Sequence, residues 1–333
     1  MISRSDIRFR GRGLGMKRFA LVCVLLGISF GQGAAAEKIK LSISSIDVSF
    51  LNAGIAQQRG FFKDEGLDVE VIRMIANVSI NALASGDIDY SMVFASVIRG
   101  AMVGLPMRVV ANFMDSSTHV LLARPQFKSV KELKGRTLGV STFGATAEVA
   151  AKMMIRQGGI DPDKEMKVVP LGSTGARFAA LKEGIADVVV LSPPADSEGV
   201  KQGFNVVARA HEAFQMPFSG LGTNLKRLKE RPDEVKRMIK AFIRSSRYVR
   251  QNREGAVQTL MKWSRTDRES AEATYDSTWK IFTEDGNMSQ DGLKLVIDQG
   301  RESSKITRAV AISEVAEFGP LREAQKELGI KPR

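Results

Sequence analysis

Residues 39–44 alternate apolar and polar, Ile39, Leu41 and Ile43 against Lys40, Ser42 and Ser44, and this period of two predicts a strand. Residues 51–63 switch to helical spacing, 68–74 return to a strand, and 80–84 form a helix closed by Gly86. A strand over 89–94, a helix over 96–103 ended by Gly104-Leu105-Pro106 and a strand over 107–113 follow. Residues 119–124 read as an extended segment that leaves this first unit. The alternation then resumes, with strands at 138–141, 167–171 and 188–191 and helices at 147–157 and 176–182. Residues 215–223 are extended again and cross back, and beyond Asn224 the pattern is almost wholly helical. Such β–α alternation predicts mostly parallel sheets covered by helices.

One pattern recurs. Ala82-Leu83-Ala84-Ser85-Gly86-Asp87-Ile88-Asp89 is echoed by Ala180-Leu181-Lys182-Glu183-Gly184-Ile185-Ala186-Asp187, and each copy runs into an apolar stretch. Upstream of each lies a Gly-(Leu/Ile)-Asp corner, Gly66-Leu67-Asp68 and Gly159-Ile160-Asp161. Two α/β units of the same order predict two similar lobes. Residues 37–118 with 220–333 would make the first, residues 119–219 the second, and the two extended crossings the hinge.

A length of 333 residues suits two such lobes. Ahead of them, an apolar run at 19–30 follows Lys17 and Arg18 and ends in Gly31-Gln32-Gly33-Ala34-Ala35-Ala36, which reads as a signal peptide over residues 1–36. Met16, just before the basic pair, is an alternative start. The only cysteine, Cys23, lies in that run, so the mature chain would form no disulfide. The formal charge of +12 falls to 12 − 5 = +7 without the leader's six Lys/Arg and one Asp. The remaining charge is spread over helices rich in both signs, the pattern of solvated faces, and no nucleic-acid partner is expected.

The run Gly60-Phe61-Phe62-Lys63-Asp64-Glu65-Gly66-Leu67-Asp68-Val69-Glu70, the two echoes, Gly104-Leu105-Pro106 and Val130-Lys131-Glu132-Leu133-Lys134-Gly135 follow in order. In this order the chain resembles the SsuA-like solute-binding proteins of nitrate/sulfonate/taurine/thiamine-pyrimidine-type ABC importers, over nearly all of its mature length. The resemblance implies a two-lobed α/β fold, the type II periplasmic binding protein fold, with solute held between the lobes. It further implies a periplasmic location and delivery to a permease with a cytoplasmic ATPase. No cofactor, no metal and no catalysis are expected, and the chain is expected to be a monomer. An exported ligand sensor signalling to a membrane receptor is the alternative. A pyrimidine-making enzyme shares the implied fold, but the cysteine-rich motif that marks it is absent.

In open α/β sheets, ligands meet the loops at the carboxyl ends of the strands, where helix N-termini favour anions. That rule selects Ser45, Asp47, Ser49, Phe50, Ser79 and Ser96 in the first lobe and Thr142, Phe143, Thr146, Ser173 and Ser192 in the second. The hydroxyls would bond solute oxygens, or would merely cap their helices. Phe94, Phe113, Phe218 and Met216 are further apolar candidates, and Asp115 is a second acidic one. Arg99 and Arg177 fall on helices near these loops, where one could pair with an anionic head group, with a solvated helix face as the default reading. His119 and His211 are the only histidines and lie far apart in sequence.

Overall fold

Two five-stranded sheets with the same internal order organise the chain, whose computed structural model describes residues 38–331. The expected leader and the choice of start codon lie outside the described residues. The strands are β1 (Ile39–Ile43), β2 (Val69–Arg73), β3 (Tyr90–Ser91), β4 (Met107–Met114), β5 (Val120–Ala123), β6 (Thr137–Val140), β7 (Lys167–Pro170), β8 (Val188–Leu191), β9 (Asn205–Arg209) and β10 (Ser219–Asn224). Sheet one runs β2-β1-β3-β10-β4 and sheet two runs β7-β6-β8-β5-β9. Within sheet one β10 is antiparallel to both neighbours, and within sheet two β5 is. Each sheet is thus a mostly parallel set with one reversed strand inserted next to its last one.

The two reversed strands are the crossing segments. Residues 119–124 and 215–223 read in sequence as extended linkers, yet β5 and β10 occupy most of them and are paired on both sides. Strand chemistry explains this: Val120, Leu121, Leu122 and Leu221 are fully buried and find apolar cover only inside a sheet. The chain changes sheet at 115–119 and again at 214–218, and these stretches are bonded to each other. Met216 N–H donates to the Asp115 carbonyl at 3.1 Å, Phe218 N–H to that of Met114 at 3.0 Å, and the Ser116 hydroxyl to that of Phe214 at 2.8 Å.

The sequence echo marks one structural corner used twice. Helix Ala76–Ser85 ends at Gly86 (φ 87°), and the N–H groups of Gly86 and Ile88 return to the Ala82 carbonyl. Asp89 then exchanges two bonds with Lys40, its N–H donating to the carbonyl at 3.0 Å and its carboxylate accepting the N–H at 2.8 Å. In the second copy, helix Thr174–Lys182 leads to Gly184 (φ 75°), and Ile185 and Ala186 N–H return to the Ala180 carbonyl. Asp187 exchanges the same two bonds with Thr137, both at 3.0 Å. The left-handed glycine turns the chain, and the carboxylate aligns the third strand against the first.

Two expected elements differ. The helix over 51–63 is broken into Leu51–Gln58 and Phe61–Asp64, because Gly60 adopts φ 81°. The strand over 89–94 is only Tyr90–Ser91, and Phe94 instead opens helix Phe94–Met102. A short apolar run fits a buried strand and a buried helix start alike. The helices after β10 pack on sheet one. Pro232–Gln251 has proline and two acids in its first turn and buries Val235, Met238, Ile239, Phe242, Ile243 and Val249 as one stripe. Its Phe242 stacks on Phe113 at 4.9 Å and meets Phe62 edge-on at 5.5 Å, each pair adding about 1 kcal/mol beyond area burial.

Candidate functional site

The parallel strands of both sheets deliver their following loops at their carboxyl ends, and the crossings leave from that same edge. There the two halves touch, Val48 N–H donating to the Pro193 carbonyl at 3.4 Å, and the crossing is tied to the loop after β1 by a 2.7 Å bond between the Ser49 and Thr118 hydroxyls. The seam between the sheets is therefore lined by the loop after β1, the 115–119 crossing and the loop after β8.

Asp47 is the most constrained of the predicted residues. Its carboxylate caps the 3-10 turn Val48–Phe50 by accepting the Ser49 N–H at 2.8 Å, and it accepts the Ser45 hydroxyl. The Trp263 indole N–H binds its carbonyl at 3.1 Å. Burial pushes its carboxyl above the usual range, opposed by the hydrogen bonds from Ser45 and Ser49 and by the positive charge of Arg177.

Arg177 departs from the default reading. It is 4% exposed, and its guanidinium is fixed from below rather than solvated. Nε donates to the Val190 carbonyl at 2.6 Å, Nη1 to the Gly172 carbonyl and Nη2 to the Thr174 hydroxyl at 3.2 Å. Those partners sit at the ends of β7 and β8. Burial lowers its pKa to about 10, and the Asp47 carboxylate acts to raise it. His119, 6% exposed, shares a 2.8 Å bond between Nδ1 and the Ser117 hydroxyl and meets the Phe218 ring edge-on at 5.2 Å. Burial, reinforced by the Arg177 charge, lowers it to about 3, so the ring is neutral across physiological pH. Ala210 N–H donates to the His119 carbonyl, so β5–β9 pairing brings the backbone of the two histidines together, while the His211 ring lies 3.9 Å from Glu212.

The predicted residues divide by their surroundings. Ser45, Asp47, Ser49 and Ser192 lie at the seam. Ser79, fully buried, bonds the Ser42 and Ser91 hydroxyls at 2.6 and 2.9 Å beneath the sheet end, and Ser96 accepts from Arg99 at 2.9 Å. Phe50 joins the core of sheet one with Phe113, and Phe94 joins a second cluster with Met216. On the other side, Ser173 caps its helix by accepting the Ala176 N–H at 3.2 Å and is exposed. Thr146 opens helix Thr146–Gln157, whose first turn has no side-chain cap, and Thr142 and Phe143 are exposed, Phe143 by 62%. Asp115 is exposed and accepts the Asn112 amide at 3.1 Å. The contributions of Thr118, Trp263 and the burial of Arg177 were not legible; the one available signal was an arginine one turn beyond a Gly-Ser-Thr-Gly loop.

The NMT1/THI5-like family model matches residues 48–256, more than half of the chain, and the chain belongs to that family. Among curated proteins it is similar to "Putative binding protein YtlA" of Bacillus subtilis (strain 168), 22% identical over 66% of this chain and 68% of that one. A Brucella abortus (strain 2308) protein named in the same way is 22% identical over 83% of this chain and 88% of its own length. Among solved structures it resembles the periplasmic aliphatic sulphonate binding protein SsuA from Escherichia coli, with TM-score 0.69 and 16% identity over 85% of this chain and 92% of that one. The periplasmic nitrate-binding protein NrtA from Synechocystis PCC 6803 gives TM-score 0.70 and 15% identity over 88% and 89%. The fold is that of the periplasmic binding proteins.

Proposed function

We propose that this chain is an exported solute-binding protein that captures a small organic solute between its two sheets and delivers it to an ABC-transporter permease with a cytoplasmic ATPase. The observation that carries the reading is Arg177, a buried cation fixed at the ends of β7 and β8 with donors to spare. A guanidinium held in this way suits an anionic head group, sulfonate-like or carboxylate-like. The family membership and the neighbours named as binding proteins support capture rather than turnover. His119 supports it too, since a ring titrating near 3 is a poor proton carrier at neutral pH. The paired crossings at 115–119 and 214–218 would act as the hinge, and solute touching both halves would shift the population toward closure.

The test is a thermal-shift screen against alkanesulfonates, taurine, nitrate, aromatic carboxylates and pyrimidines, followed by small-angle scattering with any hit. A ligand that binds only the native state raises the melting temperature. A hit that also shrinks the radius of gyration supports capture between the halves; a tight hit without compaction removes hinge closure.

A further inference from the structure

We propose that the two halves turn about an apolar joint on one flank of the crossings and part on the opposite flank, between helices Ala195–Lys201 and Arg268–Thr278. This rests on the reading of the crossings as a hinge, and it adds the direction of the motion and the side on which the cleft opens.

Successive strand residues face opposite sides of a sheet, so the clusters assign the flanks. In sheet two, Leu121, Val188 and Val190 join the cluster filled by Ala151 and Ile155 of helix Thr146–Gln157. Leu122, Val189 and Leu191 join the one that Ala195 packs against. Helices Thr146–Gln157 and Ala195–Lys201 therefore cover opposite faces. In sheet one, Val109 belongs with Leu293, Val296 and Ile297 of helix Gln290–Ser303, while its neighbour Val110 belongs with helix Pro232–Gln251. That last helix also lends Val249 to the cluster of Ala271 and Tyr275, which places helix Arg268–Thr278 on its side of the sheet.

The two flanks are held by different forces. On the first, Phe214 packs against the core clusters of both halves. Met153 packs on the first-half cluster that holds Met216 and Leu293, although its neighbour Met154 lies in the core of the second half. Gly292 lets helix Gln290–Ser303 close on the crossing, since a Cβ there would stand 2.7 Å from the Pro217 ring. Separating this flank would expose apolar surface to water, whereas the unbranched thioethers of Met153 and Met216 can repack as the halves turn. On the second flank, Lys201 meets Asp267 and Glu269 in solvent, and Val48, from the cluster of Ala271, touches Pro193 through one backbone bond of 3.4 Å. Solvated ion pairs hold little free energy. The rotation that exposes least apolar surface keeps the first flank shut and opens the second.

Spin-label distances on the solute-free chain test this. The only cysteine, Cys23, lies in the expected leader, so labels attach to the mature chain only where cysteines are introduced. Glu198→Cys with Ala273→Cys spans the ionic flank, and Arg156→Cys with Lys294→Cys spans the apolar one; all four positions are exposed. Lys201→Glu changes a surface charge and leaves packing alone. In about 0.01 M sodium chloride it should lengthen the first distance by several ångströms and leave the second unchanged, a difference that about 1 M salt should abolish. Met153→Ser, at a half-buried helix position, should lengthen the second distance instead. A first distance unmoved by Lys201→Glu, a second that lengthens with it, or a second indifferent to Met153→Ser overturns the proposal. Solute capture stands or falls separately on the thermal-shift screen, because no solute enters this measurement.

Discussion

Ser79 and Arg177 occupy the same position in the two halves: each is the fourth residue of its helix and each lies three before the alanine of the echoed motif. In sheet one that position is a hydroxyl, closed into a buried cluster with Ser42 and Ser91. In sheet two it is a guanidinium reaching the ends of two strands. The loops after the first strands differ in the opposite sense. That after β1 is tied down through Asp47, Ser49 and Trp263, while that after β6 leaves Thr142 and Phe143 exposed. The repeat supplies the frame, and the departures from it set the two halves apart, with Asp47 in the first and a buried Arg177 in the second.

The frame itself can be broken unequally. Asp89 and Asp187 play the same part in the strand corner, but Asp89 also pairs with Arg227, both side chains 14% exposed, and Arg227 in turn pairs with Glu234. Asp89→Ala should therefore cost about 3 kcal/mol, the usual range for removing one member of a largely buried pair. Asp187→Ala forfeits the bond to Thr137 N–H and should cost about 1 kcal/mol. Urea unfolding of the two variants measures the difference, and equal losses would show that the Arg227 network adds nothing to the corner.

His119 separates the seam from the frame by pH. Its native pKa, about 3, lies below the unfolded value near 6.5, so the unfolded chain binds the extra proton first. The stabilisation from keeping this ring neutral is complete above pH 6.5 and is lost as pH falls toward 3. Between pH 7 and pH 4.5 the loss should reach roughly 2–3 kcal/mol at about 1.4 kcal/mol per unit. Comparing wild type with His119→Gln across that range isolates the term, since glutamine does not titrate. An identical pH dependence in both proteins would mean that His119 is not protected.

The frame was legible because it repeats and because its signals are local. The Ala-Leu and Gly-x-x-Asp spacing carries the helix end, the left-handed turn and the strand-aligning carboxylate within eight residues. The crossings were found as extended segments but not as sheet strands, since pairing with strands far away in sequence leaves no mark on neighbouring residues. The site was legible as a set of loops rather than as a set of contacts. Ser45, Asp47, Ser49 and Ser192 reach the seam, but Ser79 is occupied by Ser42 and Ser91, brought in by packing, and Ser96 by Arg99 of its own helix. Whether an arginine on a helix is solvated or buried depends on which strand ends lie beneath it, and Val190 and Gly172 are set there only by the tertiary fold.

The smallest expected effect lies on the rim, where charged side chains link the two halves. Lys201, at the end of helix Ala195–Lys201 beside sheet two, reaches Asp267 at 3.1 Å and Glu269 at 3.0 Å, on the helix Arg268–Thr278 that packs with sheet one. The groups are solvated, so the pair should contribute little to global stability, in contrast to Asp89 and Arg227. Its leverage is on the angle between the halves, whose alternatives need differ by little free energy. Lys201→Glu should raise the radius of gyration of the solute-free chain at low salt, and adding Glu269→Lys should reverse the change. Asp267 is left intact in that swap because it caps its helix through the Ser270 N–H at 2.9 Å. High salt should abolish the difference by screening. Equal radii for wild type and Lys201→Glu at low salt would show that the hinge and the seam alone set the resting angle, with no part played by the rim.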